Sequence, residues 1–196
     1  MKIMKIIEDV LPVEQADWLE EMLTSSSISW NYIRDGSRPD GDAEKVKLFP
    51  SFALPIYSMY DDIQGSNREM FLRFESLNHT VCAKAELDIR CMTRVRLGMH
   101  IPNPSWHGHH GPHCDQAVPH TVVLFYVTDT DGDTYFFDHE DKMDPLGFSY
   151  GGEDEYKIID RVTPKKNMMV VFDGLTTHAS SYPTKGQRIT INYNFN

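Results

Sequence analysis

His113-Cys114-Asp115 is the stretch on which the reading of this chain turns. In an extended strand, side chains alternate faces, so a histidine and a carboxylate two residues apart point to the same side. Cys114 then faces the other way and serves as a small core residue. Farther along, Phe172-Asp-Gly-Leu-Thr-Thr-His178 supplies a second histidine. Two imidazoles and one carboxylate form a facial donor set that leaves coordination positions open on non-haem iron(II). Arg188 opens Arg188-Ile-Thr-Ile-Asn-Tyr-Asn-Phe195, which alternates like a strand. A guanidinium there is suited to hold a carboxylate through two parallel hydrogen bonds.

Around these residues the chain reads as two helices followed by short strands. Residues 3–7 suggest a short strand, and Asp9 to Pro12 a helix entry with proline in the first turn. Val13, Ala16, Leu19, Met22 and Leu23 recur at helical spacing until Thr24-Ser-Ser-Ser27. Trp30 to Ile33 suggests a strand, Arg34 to Gly41 a loop, and Lys47 to Ala53 an edge strand restricted by Pro50. Met70, Phe71, Phe74 and Leu77 predict a second helix over Ser66 to Val81. Asp88 to Met99 predicts a strand with Arg90, Arg94 and Arg96 on one face. Arg94 and Arg96 either line a mouth or sit on an exposed surface.

Ile101 to Gln116 holds three prolines, two glycines and four of the nine histidines, which reads as a loop. Its His107, His109 and His110 fit mobile loop residues better than a contribution to a site or a zinc cluster. Thr121 to Thr128 predicts a buried strand. The turn residues Asp129-Thr-Asp-Gly-Asp133 then suggest that Thr134 to Phe137 returns as its hairpin partner. Asp138 to Glu155 reads as a long excursion. Tyr156 to Val162 and Met168 to Phe172 predict strands joined by a turn at Thr163 to Asn167. Regular strand spacing with intervening turns points to a sandwich or barrel, and a double-sheet jelly roll accommodates a metal in its mouth.

The totals set limits. A chain of 196 residues suits one domain with a proper core. The formal net charge of −10 gives no general attraction for phosphate backbones or anionic membranes, so a duplex nucleic acid or membrane partner is not expected. Three cysteines without a C-x-x-C pair suit a reducing compartment. Charge arrives too early in the first residues for a signal-peptide core, and no apolar run is long enough to span a bilayer, so a cytoplasmic protein is expected.

In order and spacing, roughly residues 90–196 resemble the iron(II)- and 2-oxoglutarate-dependent oxygenase superfamily, nearest its prolyl-4-hydroxylase-like branch. The resemblance is carried by His113-Cys-Asp115, the strand Thr121 to Thr128, Gly132-Asp-Thr-Tyr-Phe136, Pro164 to Phe172, His178-Ala179 and Gly186-Gln-Arg188-Ile-Thr190. The opening Glu8-Asp-Val-Leu-Pro12, its helix and Trp30 are similar to bacterial and phage members.

The resemblance implies a mainly β (α+β) fold, a double-stranded β-helix over about 88–196. Support from about 1–87 would place helices on one sheet, all within a single domain. It implies Fe(II) on His113, Asp115 and His178, and 2-oxoglutarate with its far carboxylate on Arg188 and Thr190. Tyr126 and Leu124 would stand beside the co-substrate. One branch has lysine at the Arg188 position, so arginine is a variant. The implied activity hydroxylates a C–H bond of a small-molecule or peptide substrate, consuming dioxygen and releasing succinate and CO2, with ascorbate supportive. Asp115 argues against halogenation, because halogenating members have a small residue there. The rival readings are a catalytically silent binding domain and a cupin-like metalloenzyme. Arg188 weighs against the latter, which has no co-substrate carboxylate to hold.

Overall fold

The computed structural model describes residues 4–34, 49–59, 67–138 and 156–196. Two antiparallel sheets dominate it, and helices are few. The larger sheet has seven strands in the order β1-β8-β5-β10-β4-β3-β2. These are β1 (Lys5–Ile7), β2 (Asn31–Ile33), β3 (Ser51–Ser58), β4 (Met92–His100), β5 (Thr121–Tyr126), β8 (Met168–Asp173) and β10 (Arg188–Phe195). The smaller sheet runs β7 (Lys157–Val162), β6 (Thr134–Asp138), β9 (His178–Ser180). His113 adds an antiparallel bridge to His178 on its open side.

One face of the larger sheet is covered by helix α1 (Val13–Thr24) and the pair α2 (Arg68–Arg73) and α3 (Glu75–Ala85). Leu19, Leu23, Phe74 and Val81 pack there with Val95, Leu97, Phe125, Ile189, Ile191 and Tyr193 in one buried cluster. The alternation of β4, β5 and β10 sends Arg94, Leu124 and Asn192 to the opposite face, where the smaller sheet lies. A second apolar cluster, with Val122, Tyr126, Phe136, Val170 and Phe172, fills part of the space between the sheets. The rest is a polar cavity. No helix among the described residues is long and apolar enough to cross a membrane.

Several expectations need correction. The helix over 66–81 is two helices that meet at Phe74, whose φ and ψ of −94° and 5° turn the axis. The break lets Met70 and Phe74 share one core with Leu77 and Val81. Asn67 caps α2 by accepting from the Met70 amide at 3.0 Å. The strand around Pro50 begins at Ser51 and is not an edge, since β2 pairs outside it. Its internal Pro55, which has no N–H, coincides with a register shift between Pro55 and Tyr57. Arg90 belongs to a 3₁₀ turn, Ile89–Cys91, ahead of β4, so the charged strand face starts at Arg94.

The hairpin between β5 and β6 does not form. The Asp129–Asp133 turn carries the chain from the larger sheet to the smaller one, where β6 pairs with β7 and β9. Residue 3, Asp35 to Gly41, Lys47, Leu48, Ser66 and the 139–155 part of the excursion lie outside the described residues.

Candidate metal centre

The two histidines of the centre are cross-strand partners. His113 N–H donates to the His178 carbonyl at 3.0 Å, and His178 N–H returns the bond at 2.9 Å. Residues paired in this way have side chains on the same face, and the ring centroids lie 4.9 Å apart. Each ring Nδ1 meets a carbonyl two residues upstream, His113 to Gly111 at 3.1 Å and His178 to Thr176 at 2.9 Å. These bonds fix Nδ1 as the donor and leave each Nε2 as a lone-pair ligand.

Asp115 follows two residues later, but the segment is not a regular strand. His113 makes a single bridge and the chain bends at Asp115. The bend still brings the carboxylate to the imidazoles, and the ligand atoms of His113, Asp115 and His178 all lie within 4.8 Å of one another. Cys114 turns away and is buried, 3.9 Å from Thr177 Oγ1.

The carboxylate is closely held. Asn192 and Asn194 each donate a side-chain amide to Asp115 Oδ2 at 2.9 Å, and an Arg94 guanidinium nitrogen lies 3.3 Å from Oδ1. Burial acts to raise the pKa, but Arg94, the two histidines and the Asn194 bond outweigh it and keep Asp115 ionised far below the usual range. His178 is pushed down to about 4 by burial first and then by His113, so it is neutral near pH 7. A buried carboxylate with two oriented imidazoles suits a divalent cation.

The triad lines a cavity of about 120 Å³ whose other end is Arg188. Only 3% exposed, Arg188 donates Nε–H to the Gly132 carbonyl and a terminal nitrogen to Thr134 Oγ1, both at 2.8 Å. Its guanidinium carbon lies 5.7 Å from the Tyr126 ring centroid. Thr190, two residues on, shares its face and lines the same cavity, as does Leu124. Tyr126 stands behind the lining, its hydroxyl 2.8 Å from Thr134 Oγ1. Thus Thr134 lies between the phenol and the guanidinium.

His100 and Ser180, which also line the cavity, were not singled out from the sequence. His100 lies opposite Arg188 in the β4–β10 register. Ser180 Oγ joins His100 Nε2 at 3.2 Å to His110 Nδ1 at 3.0 Å. His110 is 4% exposed, packed on Phe49, Trp106 and Tyr182, so it is not a mobile loop residue. His109 Nδ1 donates to the His110 carbonyl at 2.7 Å, and its ring rests against Phe137. His107, His109 and His110 form no metal-binding group among the described residues. The strand parity of β4 placed Arg94, Arg96 and His100 together; the sequence did not say that this face points inward.

No family model and no curated protein matches the sequence. Solved structures do. A prolyl-4-hydroxylase from Pseudomonas putida shares 12% identity over 100% of this chain and 92% of its own, with a TM-score of 0.54. An oxidoreductase of the 2OG-Fe(II) oxygenase family from Burkholderia pseudomallei gives 10% identity, coverage of 99% and 84%, and a TM-score of 0.58. The fold is that of the 2-oxoglutarate/Fe(II) oxygenases. The epimerase SnoN, solved with Fe3+, α-ketoglutarate and nogalamycin RO, is similar at 14% identity, over 99% of this chain and 78% of that one, with a TM-score of 0.57. Within the oxygenase fold of this chain, the His113–Asp115–His178 donor set fits iron, and its third donor is a carboxylate rather than a third histidine.

Proposed function

We propose that this chain is an Fe(II)- and 2-oxoglutarate-dependent dioxygenase that hydroxylates a C–H bond of a small-molecule or peptide substrate. The observation that carries the reading is one cavity with an oriented two-histidine, one-carboxylate set at one end and the buried Arg188 at the other. The two sheets, with the bridge at His113, correspond in this reading to a jelly roll formed as one domain.

His113, Asp115 and His178 would hold the metal, and three protein donors would leave coordination positions for the co-substrate and dioxygen. The metal with 2-oxoglutarate supplies, when bound, an oxidant that inserts one oxygen atom into a C–H bond while succinate and CO2 leave. The protein's own part is positioning. Arg188, held by Gly132 and Thr134, presents its remaining donors to the distal carboxylate, and Thr190 offers a hydroxyl beside it. Tyr126 acts through Thr134, and Leu124 supplies an apolar wall. Ascorbate would keep the metal reduced.

The test is succinate release from 2-oxoglutarate with Fe(II) and ascorbate, screened over free amino acids, proline peptides and nucleotides. Arg188→Ala is expected to raise the apparent requirement for 2-oxoglutarate by about tenfold or more, as loss of a charged hydrogen-bond pair does. Release that is insensitive to Arg188 would refute its role. Metal binding with no turnover of 2-oxoglutarate would identify a silent binding domain instead.

A further inference from the structure

The charged residues of the cavity are three arginines and one aspartate, among the described residues. Arg94 faces Asp115, and Arg188 is held at the far end by Gly132 and Thr134. Arg96 is different. It lines the same cavity and is partly buried, yet no described residue gives it a hydrogen bond or an ion pair. Arg94 Nε is likewise buried without a partner. Burial and the neighbouring Arg94 both disfavour the charge of Arg96, and only Asp115 favours it. A guanidinium enclosed in this way is costly unless an anion joins it.

The β4–β10 register separates this cation from Arg188. His100 lies opposite Arg188, Gly98 opposite Thr190, Arg96 opposite Asn192 and Arg94 opposite Asn194. Arg96 therefore stands four residues along the ladder from the Arg188 rung, about 13 Å at strand rise. It is level with the amide that holds Asp115 and lies on the β3 side of it. One small diacid anchored at Arg188 and reaching the metal leaves Arg96 unused. Ser51 and Phe52 of β3 also line the cavity, toward the His100 end of β4, and Arg96 pairs with Pro55.

We propose that Arg96, supported by Arg94 Nε, anchors an oxyanion of the substrate, a carboxylate or a phosphate, and so makes this an oxygenase for anionic substrates. The proposal rests on the oxygenase reading for which residues hold metal and co-substrate. With iron(II) and 2-oxoglutarate in place, the cavity keeps surplus positive charge, and a negatively charged substrate removes it. A bidentate contact from the guanidinium fork would also fix which C–H bond faces the metal.

The experiment titrates the protein, held anaerobically with Fe(II) and saturating 2-oxoglutarate, with acetate and separately with inorganic phosphate, following heat and 31P line width. Saturable binding of at least one anion is expected, and the one preferred distinguishes a carboxylate from a phosphate. Arg96→Gln should weaken it by about tenfold or more, with Arg96→Lys intermediate and 2-oxoglutarate affinity unchanged in both. Circular dichroism and melting curves accompany both variants. No saturable binding of either anion, equal binding by Arg96→Gln, or loss of 2-oxoglutarate affinity in that variant would overturn the proposal. Failure of the wild type to bind 2-oxoglutarate would count against the oxygenase reading itself, and the anion titration without it would still judge Arg96.

Discussion

Asn194 donates its side-chain amide to Asp115 Oδ2 across 2.9 Å, from a strand that lies far from Asp115 in sequence. Asn192, two residues earlier on the same strand face, donates to the same oxygen. Strand β10, which carries Arg188, therefore also fixes the carboxylate of the candidate metal set.

Asn194→Ala should lower Fe(II) affinity by about 10- to 100-fold, the range found when an outer hydrogen bond to a metal ligand is removed. Equilibrium dialysis measures it, with the metal-free melting temperature as a control, because Asn194 is fully buried. An unchanged affinity would show that Asn192 and Arg94 hold Asp115 without Asn194.

Gly132 packs against Arg188, the residue proposed to hold the co-substrate. A Cβ there would lie 3.0 Å from Arg188 Cδ and equally close to the backbone at Pro183 N and Ser181 O. Backbone atoms cannot step aside, so Gly132→Ala should cost about 1–3 kcal/mol in urea unfolding. It should also weaken 2-oxoglutarate binding several-fold by displacing the guanidinium.

Asn167 clips the N-terminal segment to the larger sheet. It accepts from Leu11 N–H and donates to the Leu11 carbonyl, both at 2.8 Å, with its own backbone at φ 65°. Asn167→Ala loses both bonds and retains a Cβ in the left-handed region, so about 2–4 kcal/mol should be lost. Asn167→Gly loses the same bonds without that strain and should be about 1 kcal/mol less damaging. Chemical denaturation of both variants checks the order.

Acid should weaken the fold before its carboxylates protonate. His110 is pushed down to about 3 by burial first and then by Arg188, and His100 lies well below its usual value, again mainly through burial. Each is neutral when folded and takes up a proton on unfolding below about pH 6.5. Their contribution is complete above that pH and is lost as pH falls toward the folded values. Each should steepen the loss by about 1.4 kcal/mol per pH unit well inside that window. Stability measured from about pH 7.5 to pH 5 should fall less steeply in His110→Asn than in the wild type.

Much of the centre was legible because short-range parity is a property of the strand itself. Arg188 and Thr190 share a face on β10 whatever surrounds them, and the same parity put Asn192 and Asn194 beside them without saying what they hold. The His113–Asp115 pair reaches one side even though a bend replaces the expected strand, since a bend can also bring the side chains at i and i+2 together. What could not be read was the assignment of strands to sheets. Asp129–Asp133 has hairpin chemistry, yet the turn crosses between sheets, because the apolar residues of β5 and β6 face one another across the core rather than along one surface. The linkage of His100 and His110 through Ser180 escaped for the same reason, since it depends on the approach of a loop to β9.

The most direct measurement is anaerobic Fe(II) binding to the wild type and to His113→Ala, Asp115→Ala and His178→Ala. One ion per chain is expected, with each substitution weakening it by about 100-fold or more and the folded far-ultraviolet spectrum retained. Iron bound equally well by the three variants, or released only on replacing His107 and His109, would contradict the convergence of these side chains on one cation.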